Sequence, residues 1–102
     1  MDIETIRRCL TGGAFFVTDH ALTEGFKEGI TAADMVEVIQ TGKIIERYPD
    51  RHRCLIYRRR DDGIPVHVVV DFRAKNTVDI VTTYIPQKSE WINSQLRKKR
   101  KR

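Results

Sequence analysis

KIIERYPDRHRCLIYRRRDDGIPVHVVVDFRAKNTVDIVTTYI, residues 43–85, is the stretch on which the fold turns. Its apolar residues alternate or run continuously in short blocks. The blocks are parted by Pro49-Asp50, by Asp61-Asp62-Gly63 and by Lys75-Asn76, residue types that turns require. Four strands are predicted: Lys43 to Tyr48, Arg53 to Arg59, Ile64 to Phe72 and Thr77 to Ile85. The Asp-Asp-Gly loop suits a hairpin. His67-Val68-Val69-Val70 is apolar on both faces, which places the third strand inside the sheet. Short turns favour sequential antiparallel pairing.

On the N-terminal side of this stretch the period is helical. Ile3, Ile6, Arg7 and Leu10 share one face, so a helix is predicted over 2–10, stopped by Gly12 and Gly13. Phe15-Phe16-Val17 reads as an apolar entry to a second helix, roughly 19–28, capped by Thr18 or Asp19 and closed by Gly29. Thr31 caps a third helix, with Asp34 as an acidic capping-box partner. Met35, Val36, Val38 and Ile39 point inward and Gly42 ends it. Beyond Pro86, Ser89 caps a last helix that carries Trp91, Ile92 and Leu96. The expected fold class is α+β: N-terminal helices packed on one face of a four-stranded antiparallel sheet, with a C-terminal helix. Residues 1–96 form a single domain and 97–102 a basic tail.

A chain of 102 residues builds one core. No apolar run approaches the ~20 residues that cross a bilayer. The N-terminus, MDIETIRRCL, is acidic and amphipathic rather than signal-like, so a cytoplasmic location is expected. Cys9 and Cys54 then read as free, buried thiols, with a single bridge as the alternative. No metal-ligand spacing, phosphate-cradling glycine loop or serine nucleophile motif is present, and no cofactor is expected. The net charge of +5 is uneven. Residues 1–50 carry nine acids and five bases, residues 51–96 five acids and eight bases, and the last six residues are all basic. Such a tail points to an anionic partner, nucleic acid or an acidic protein surface, or else serves solubility alone.

Several residues suit proton transfer and phosphate binding. His67 shares a strand face with Val69 and Asp71, where a valine would propagate the sheet as well. It reads as a general acid/base or as a structural histidine bonded to a neighbour. His20 opens the second helix, where the helix dipole favours the neutral base, but sequence alone favours reading it as a surface histidine packed on Phe15 or Phe16. His52 reads as surface. Tyr84, sharing a face with Thr82 and Ile80 by strict alternation, either projects its hydroxyl towards a site or ends the core. Arg53, Arg58, Arg59 and Arg60 are phosphate-binding candidates, since guanidinium binds phosphate in bidentate fashion and keeps its charge. The alternative is a solvated sheet edge. Arginine with histidine and tyrosine meets the needs of metal-free RNA cleavage: deprotonate the 2′-hydroxyl, stabilise charge on phosphorus, protonate the leaving oxygen.

His20-Ala21-Leu22, Gly29-Ile30, Gly42-Lys43-Ile44-Ile45-Glu46, Tyr48-Pro49-Asp50, Pro65-Val66-His67-Val68-Val69 and Thr83-Tyr84-Ile85-Pro86, closing at Trp91, form an ordered set. In order and spacing it resembles the bacterial domain-of-unknown-function family 4258, over about residues 15–92. The resemblance implies kinship with RelE-like toxins, small ribonucleases often encoded beside a zinc-finger antitoxin of the MqsA type. It implies His20, His67 and Tyr84 as the recurring polar residues. One departure stands out. Glu24 and Glu28 occupy positions where relatives commonly have arginine. The expected function is the toxin of a toxin–antitoxin pair, an endoribonuclease acting on RNA without metal. The alternative is a non-catalytic module that binds nucleic acid or a protein.

Overall fold

The computed structural model describes residues 1–99. Three helices come first. Helix α1 (Ile3–Thr11) starts at Asp2, whose carboxylate accepts the Thr5 backbone N–H. Strand β1 (Phe15–Val17) follows, then α2 (Asp19–Glu28), capped by the Thr18 hydroxyl. Helix α3 (Ala32–Thr41) opens on a full capping box, Thr31 and Asp34 each accepting the other's backbone N–H. Strands β2 (Lys43–Tyr48), β3 (Arg53–Arg59), β4 (Pro65–Asp71) and β5 (Val78–Tyr84) come next. A hairpin of β6 (Trp91–Ile92) and β7 (Leu96–Arg97) ends the described chain.

The sheet differs from the expected four-stranded antiparallel one. It has five strands in the order β1-β5-β4-β3-β2, and β1 runs parallel to β5. The segment Phe15-Phe16-Val17, read as an entry to a helix, is therefore the fifth strand. Aromatic and β-branched residues favour that state. The Val78 N–H donates to the Ala14 carbonyl at 3.1 Å and the Thr18 N–H to the Ile80 carbonyl at 3.0 Å, which hold β1 against the edge of β5. The expected C-terminal helix is the second correction. Ile92 and Leu96 are four apart, a helical spacing that is also that of a cross-strand pair around a three-residue loop. Asn93 and Ser94 adopt left-handed backbone, φ 49° and 64°, and turn the chain.

The helices supply Ile6, Leu10, Ala21, Met35, Val38 and Ile39 to a core shared with one sheet face. That face carries Cys54 and Ile56 of β3, Val66, Val68 and Val70 of β4, and Val78 and Ile80 of β5. Gly42 allows α3 to turn into β2 at close quarters, because a Cβ there would meet the Tyr57 and Val38 carbonyl oxygens. The opposite face has its own small buried layer. Leu55, Tyr57, His67 and Trp91 are buried but lie outside the helix-side core. The terminal hairpin, to which Trp91 belongs, roofs His67.

Two β-bulges set what this second face presents. One lies in β2 between Ile44 and Glu46, and the other between Val69 and Val70 of β4 and their β5 partners. Each bulge shifts the side-chain alternation by one residue. Ile44 pairs with Ile56 on the core face, yet Glu46 pairs with Leu55 on the opposite one. Ile80 pairs with Val70 in the core, yet Thr82 and Tyr84 pair with Val69 and His67 on the opposite face.

Candidate functional site

His67 sits on β4, the middle strand, directly across from Tyr57 of β3 and Tyr84 of β5. The Tyr84 hydroxyl is 3.4 Å from His67 Nδ1. On the other side of the ring, Nε2 is 2.6 Å from the Ser94 carbonyl oxygen. A carbonyl only accepts, so Nε2 carries the proton and Nδ1 faces the tyrosine with a lone pair. Tyr57, Tyr84 and Trp91 box the imidazole edge-on, with ring centroids at 5.9, 5.3 and 4.5 Å. His67 is fully buried. Burial pushes its pKa below the ordinary histidine value, and the Ser94 carbonyl and the Glu46 charge only partly offset this. It is therefore a neutral base with one free nitrogen.

The hairpin is fastened at a second point. Arg97 donates to both oxygens of Glu46, at 2.9 and 3.2 Å, and its guanidinium lies 4.5 Å over the Trp91 ring. Tyr48 also donates to Glu46. Burial works to raise the Glu46 pKa, but the hydrogen bonds from Arg97 and Tyr48 outweigh it and hold the carboxyl below its usual range. Burial and the bond to Glu46 push Tyr48 up to about 12. Glu46 reaches this position only through the bulge in β2.

Beside the roofed histidine opens a cleft of about 630 Å³. It is lined by Val69, Thr82 and Tyr84 of the sheet, by Tyr48, Pro49 and Asp50, and by Arg51, Arg53 and Arg97. Tyr84 is half-buried there, and burial raises its pKa. Arg53 is half-exposed and pairs with Asp71 at 2.9 Å. The cleft thus joins three guanidinium groups to a tyrosine hydroxyl backed by a neutral imidazole. A phosphodiester suits the first, and proton transfer suits the second.

The structure brings together His67, Tyr84 and Arg53 among the residues singled out from sequence. It leaves the others elsewhere. His20 is exposed in the first turn of α2, in the helical layer, away from the face that holds His67. Arg58 pairs with Glu37 and Asp61. Arg60 is tied to Asp34, Asp62 and the Gly29 carbonyl. Arg59 is exposed and bonds the Gly63 carbonyl, beside a separate recess near the hairpin. Of the two acidic departures, Glu24 pairs with Lys27, and Glu28 accepts the Ile85 backbone N–H, next to Tyr84. Glu46 and Tyr48 stand in the ordered set that carries the resemblance and Arg97 opens the basic run, but none of these, nor Ser94, is placed at this site by the sequence. They arrive through a bulge and a hairpin that alternation does not reveal. Arg97, the first residue of the basic run, is the second residue of β7. Residues 100–102 of that run lie outside the described residues.

Cys54 is buried in the core, with burial pushing its thiol up to about 11, and Cys9 is free and half-buried. Among the described residues no helix is long and apolar enough to cross a membrane. The model of a protein family described as a domain of unknown function, DUF4258, matches residues 17–85. No curated protein and no solved structure matches the chain.

Proposed function

We propose that this chain, which belongs to the DUF4258 family, is a ribonuclease that cleaves RNA without a metal in the cleft beside Tyr84. The observation that carries the reading is the Tyr84 hydroxyl facing a buried, neutral His67 in a cleft lined by arginines. An RNA strand lays a phosphate against Arg51, Arg53 and Arg97. The Tyr84 oxygen takes the 2′-hydroxyl proton as its own proton passes to His67 Nδ1. The 2′-oxygen bonds to phosphorus, the bond to the 5′-oxygen breaks, and that oxygen takes a proton from water; the hydroxide left behind takes the proton held by His67 back through the Tyr84 hydroxyl, which restores water and the neutral imidazole. The products are a 2′,3′-cyclic phosphate and a 5′-hydroxyl. Tyr84 touches the substrate, and His67 acts behind it as proton acceptor. His20, Arg58 and Arg60 have no part.

The kinship with RelE-like toxins that the family resemblance implies extends the proposal to a wider setting: the toxin of a toxin–antitoxin pair, acting in the cytoplasm, with a small zinc-finger antitoxin as its protein partner. A second reading is favoured by one observation. His67 is roofed, so the same face would serve as a binding module that holds nucleic acid without cutting it.

The experiment is a cleavage assay on RNA in the presence of a chelator, with the termini identified. The wild-type protein should yield cyclic-phosphate ends. Tyr84→Phe should keep its thermal midpoint within a few degrees and lose ~100- to 10,000-fold in rate. Absence of cleavage, together with RNA binding that falls steeply with salt, would establish the binding module instead.

A further inference from the structure

The terminal hairpin is small. Its strands are two residues each, and a two-stranded hairpin of that length does not hold itself together in water. What keeps it in place is what it touches. Trp91 is inserted against the imidazole, the Ser94 carbonyl accepts a hydrogen bond from His67 Nε2–H, and Arg97 clamps Glu46. The Lys98 N–H adds one bond to the Glu90 carbonyl within the hairpin itself. The outer side is solvated. Ile92 and Leu96 form its cross-strand pair and are both exposed, so among the described residues no further layer covers the hairpin.

These three contacts fall on the groups the cleft would use. With the hairpin seated, the imidazole has no exposed surface, Glu46 is saturated by Arg97 and Tyr48, and the Arg97 guanidinium is spent on a carboxylate. Charge-assisted bonds of this kind are exchangeable, since a phosphate offers Arg97 the same bidentate geometry as Glu46. Segments with few buried contacts open locally without global unfolding.

We propose that the hairpin Trp91–Arg97 is an autoinhibitory latch over His67, held shut by the Glu46–Arg97 clamp and released when a phosphate of the bound strand takes Arg97. The latch rests on the ribonuclease reading for its purpose, but its mechanics are testable without RNA. Seated, it withholds Arg97 from phosphate and lets His67 reach the cleft only through the Tyr84 hydroxyl. Released, it uncovers His67 and frees the Glu46 carboxylate on the same face.

Trp91 is the single tryptophan of the chain, so its fluorescence reports the hairpin alone. In the full-length protein, Glu46→Gln removes the charge from the clamp and keeps a similar shape; Arg97→Gln removes it from the other side. Both should raise acrylamide quenching of Trp91 and speed diethylpyrocarbonate modification of His67, mapped by peptide, about tenfold. Amide exchange in β3 and β4 should stay at the wild-type rate, which separates latch opening from unfolding. Adding a 2′-O-methyl RNA, which lacks the nucleophile, should open the wild-type latch in the same assays. Wild-type shielding of Trp91 and His67 in both variants would overturn the latch, as would opening that comes only with faster exchange in β4. If the variants open but the RNA does not bind, the latch stands, while phosphate release and the ribonuclease reading fall together.

Discussion

Acidification should destabilise this protein through His67, and replacing that one side chain should remove the effect. The imidazole is fully buried, and it is neutral because burial holds its pKa below the ordinary value of 6.5. In the unfolded chain it titrates near 6.5. Between those two values the unfolded state binds a proton that the folded state refuses, so stability falls as the pH falls through that window. It is fully present above 6.5. The limiting slope for one proton is about 1.4 kcal/mol per pH unit. From pH 6.5 to pH 5 the loss is therefore no more than about 2 kcal/mol, against a total of roughly 5–15 kcal/mol for a domain. The groups that face the ring bound the effect. Glu46 favours the imidazolium, Arg97 opposes it, and the Tyr84 hydroxyl can turn to accept an Nδ1 proton. Carboxylates with lowered pKa, such as Asp71 and Glu46, are lost only at more acidic pH. Urea unfolding at pH 7, 6 and 5 measures the slope at constant m value. His67→Gln keeps an N–H that reaches towards Ser94 and carries no titration, so its stability should be flat over the same range. Parallel wild-type and variant curves, or a flat wild-type curve, would refute the assignment of the buried neutral imidazole.

Two further outcomes follow from the packing. Gly42→Ala should cost about 2–3 kcal/mol and lower the thermal midpoint by roughly 10 °C, because its Cβ would press on two backbone carbonyls that cannot swing away. Calorimetry checks this. Cys54, with its thiol pushed up to about 11 and no exposed surface, should resist alkylation at pH 8 until the protein unfolds, while half-buried Cys9 reacts first; mass spectrometry of the labelled protein separates the two.

Which features of this molecule were legible in the chain depends on how local their causes are. Helix α1 announces itself through its apolar face and the glycines after it, and α2 and α3 through caps and glycines, since Thr18, Thr31 and Gly29 satisfy end groups within a few residues. Strands β2 to β5 follow from alternation, and the central place of β4 from its two apolar faces. Neither signal reaches across the chain. Strand β1 is three residues long, and its parallel partner lies more than sixty residues away, so nothing near Phe15 distinguishes an edge strand from a helix entry. The hairpin failed for a different reason: a spacing of four between Ile92 and Leu96 satisfies both states, and only the left-handed Asn93 and Ser94 decide between them.

The residue types for phosphate and proton chemistry were in the sequence, and sequential pairing of β3, β4 and β5 already puts His67, Tyr84 and Arg53 on neighbouring strands, as the 3.4 Å approach of His67 and Tyr84 bears out; alternation did not show how Tyr84 comes to that face. By strict alternation Tyr84 shares a face with Ile80, and therefore belongs in the core. The bulge opposite Val69 and Val70 turns it to the other face, directly across from His67. The bulge in β2 does the same for Glu46. A bulge is one extra residue that the partner strand leaves unpaired, and which residue that is depends on packing between strands rather than on any pattern within one. The sequence alone settled helices α1 to α3, strands β2 to β5 and the chemical alphabet of the site. The tertiary structure decided which letters face one another, because side-chain face in a sheet inverts with a single residue of register.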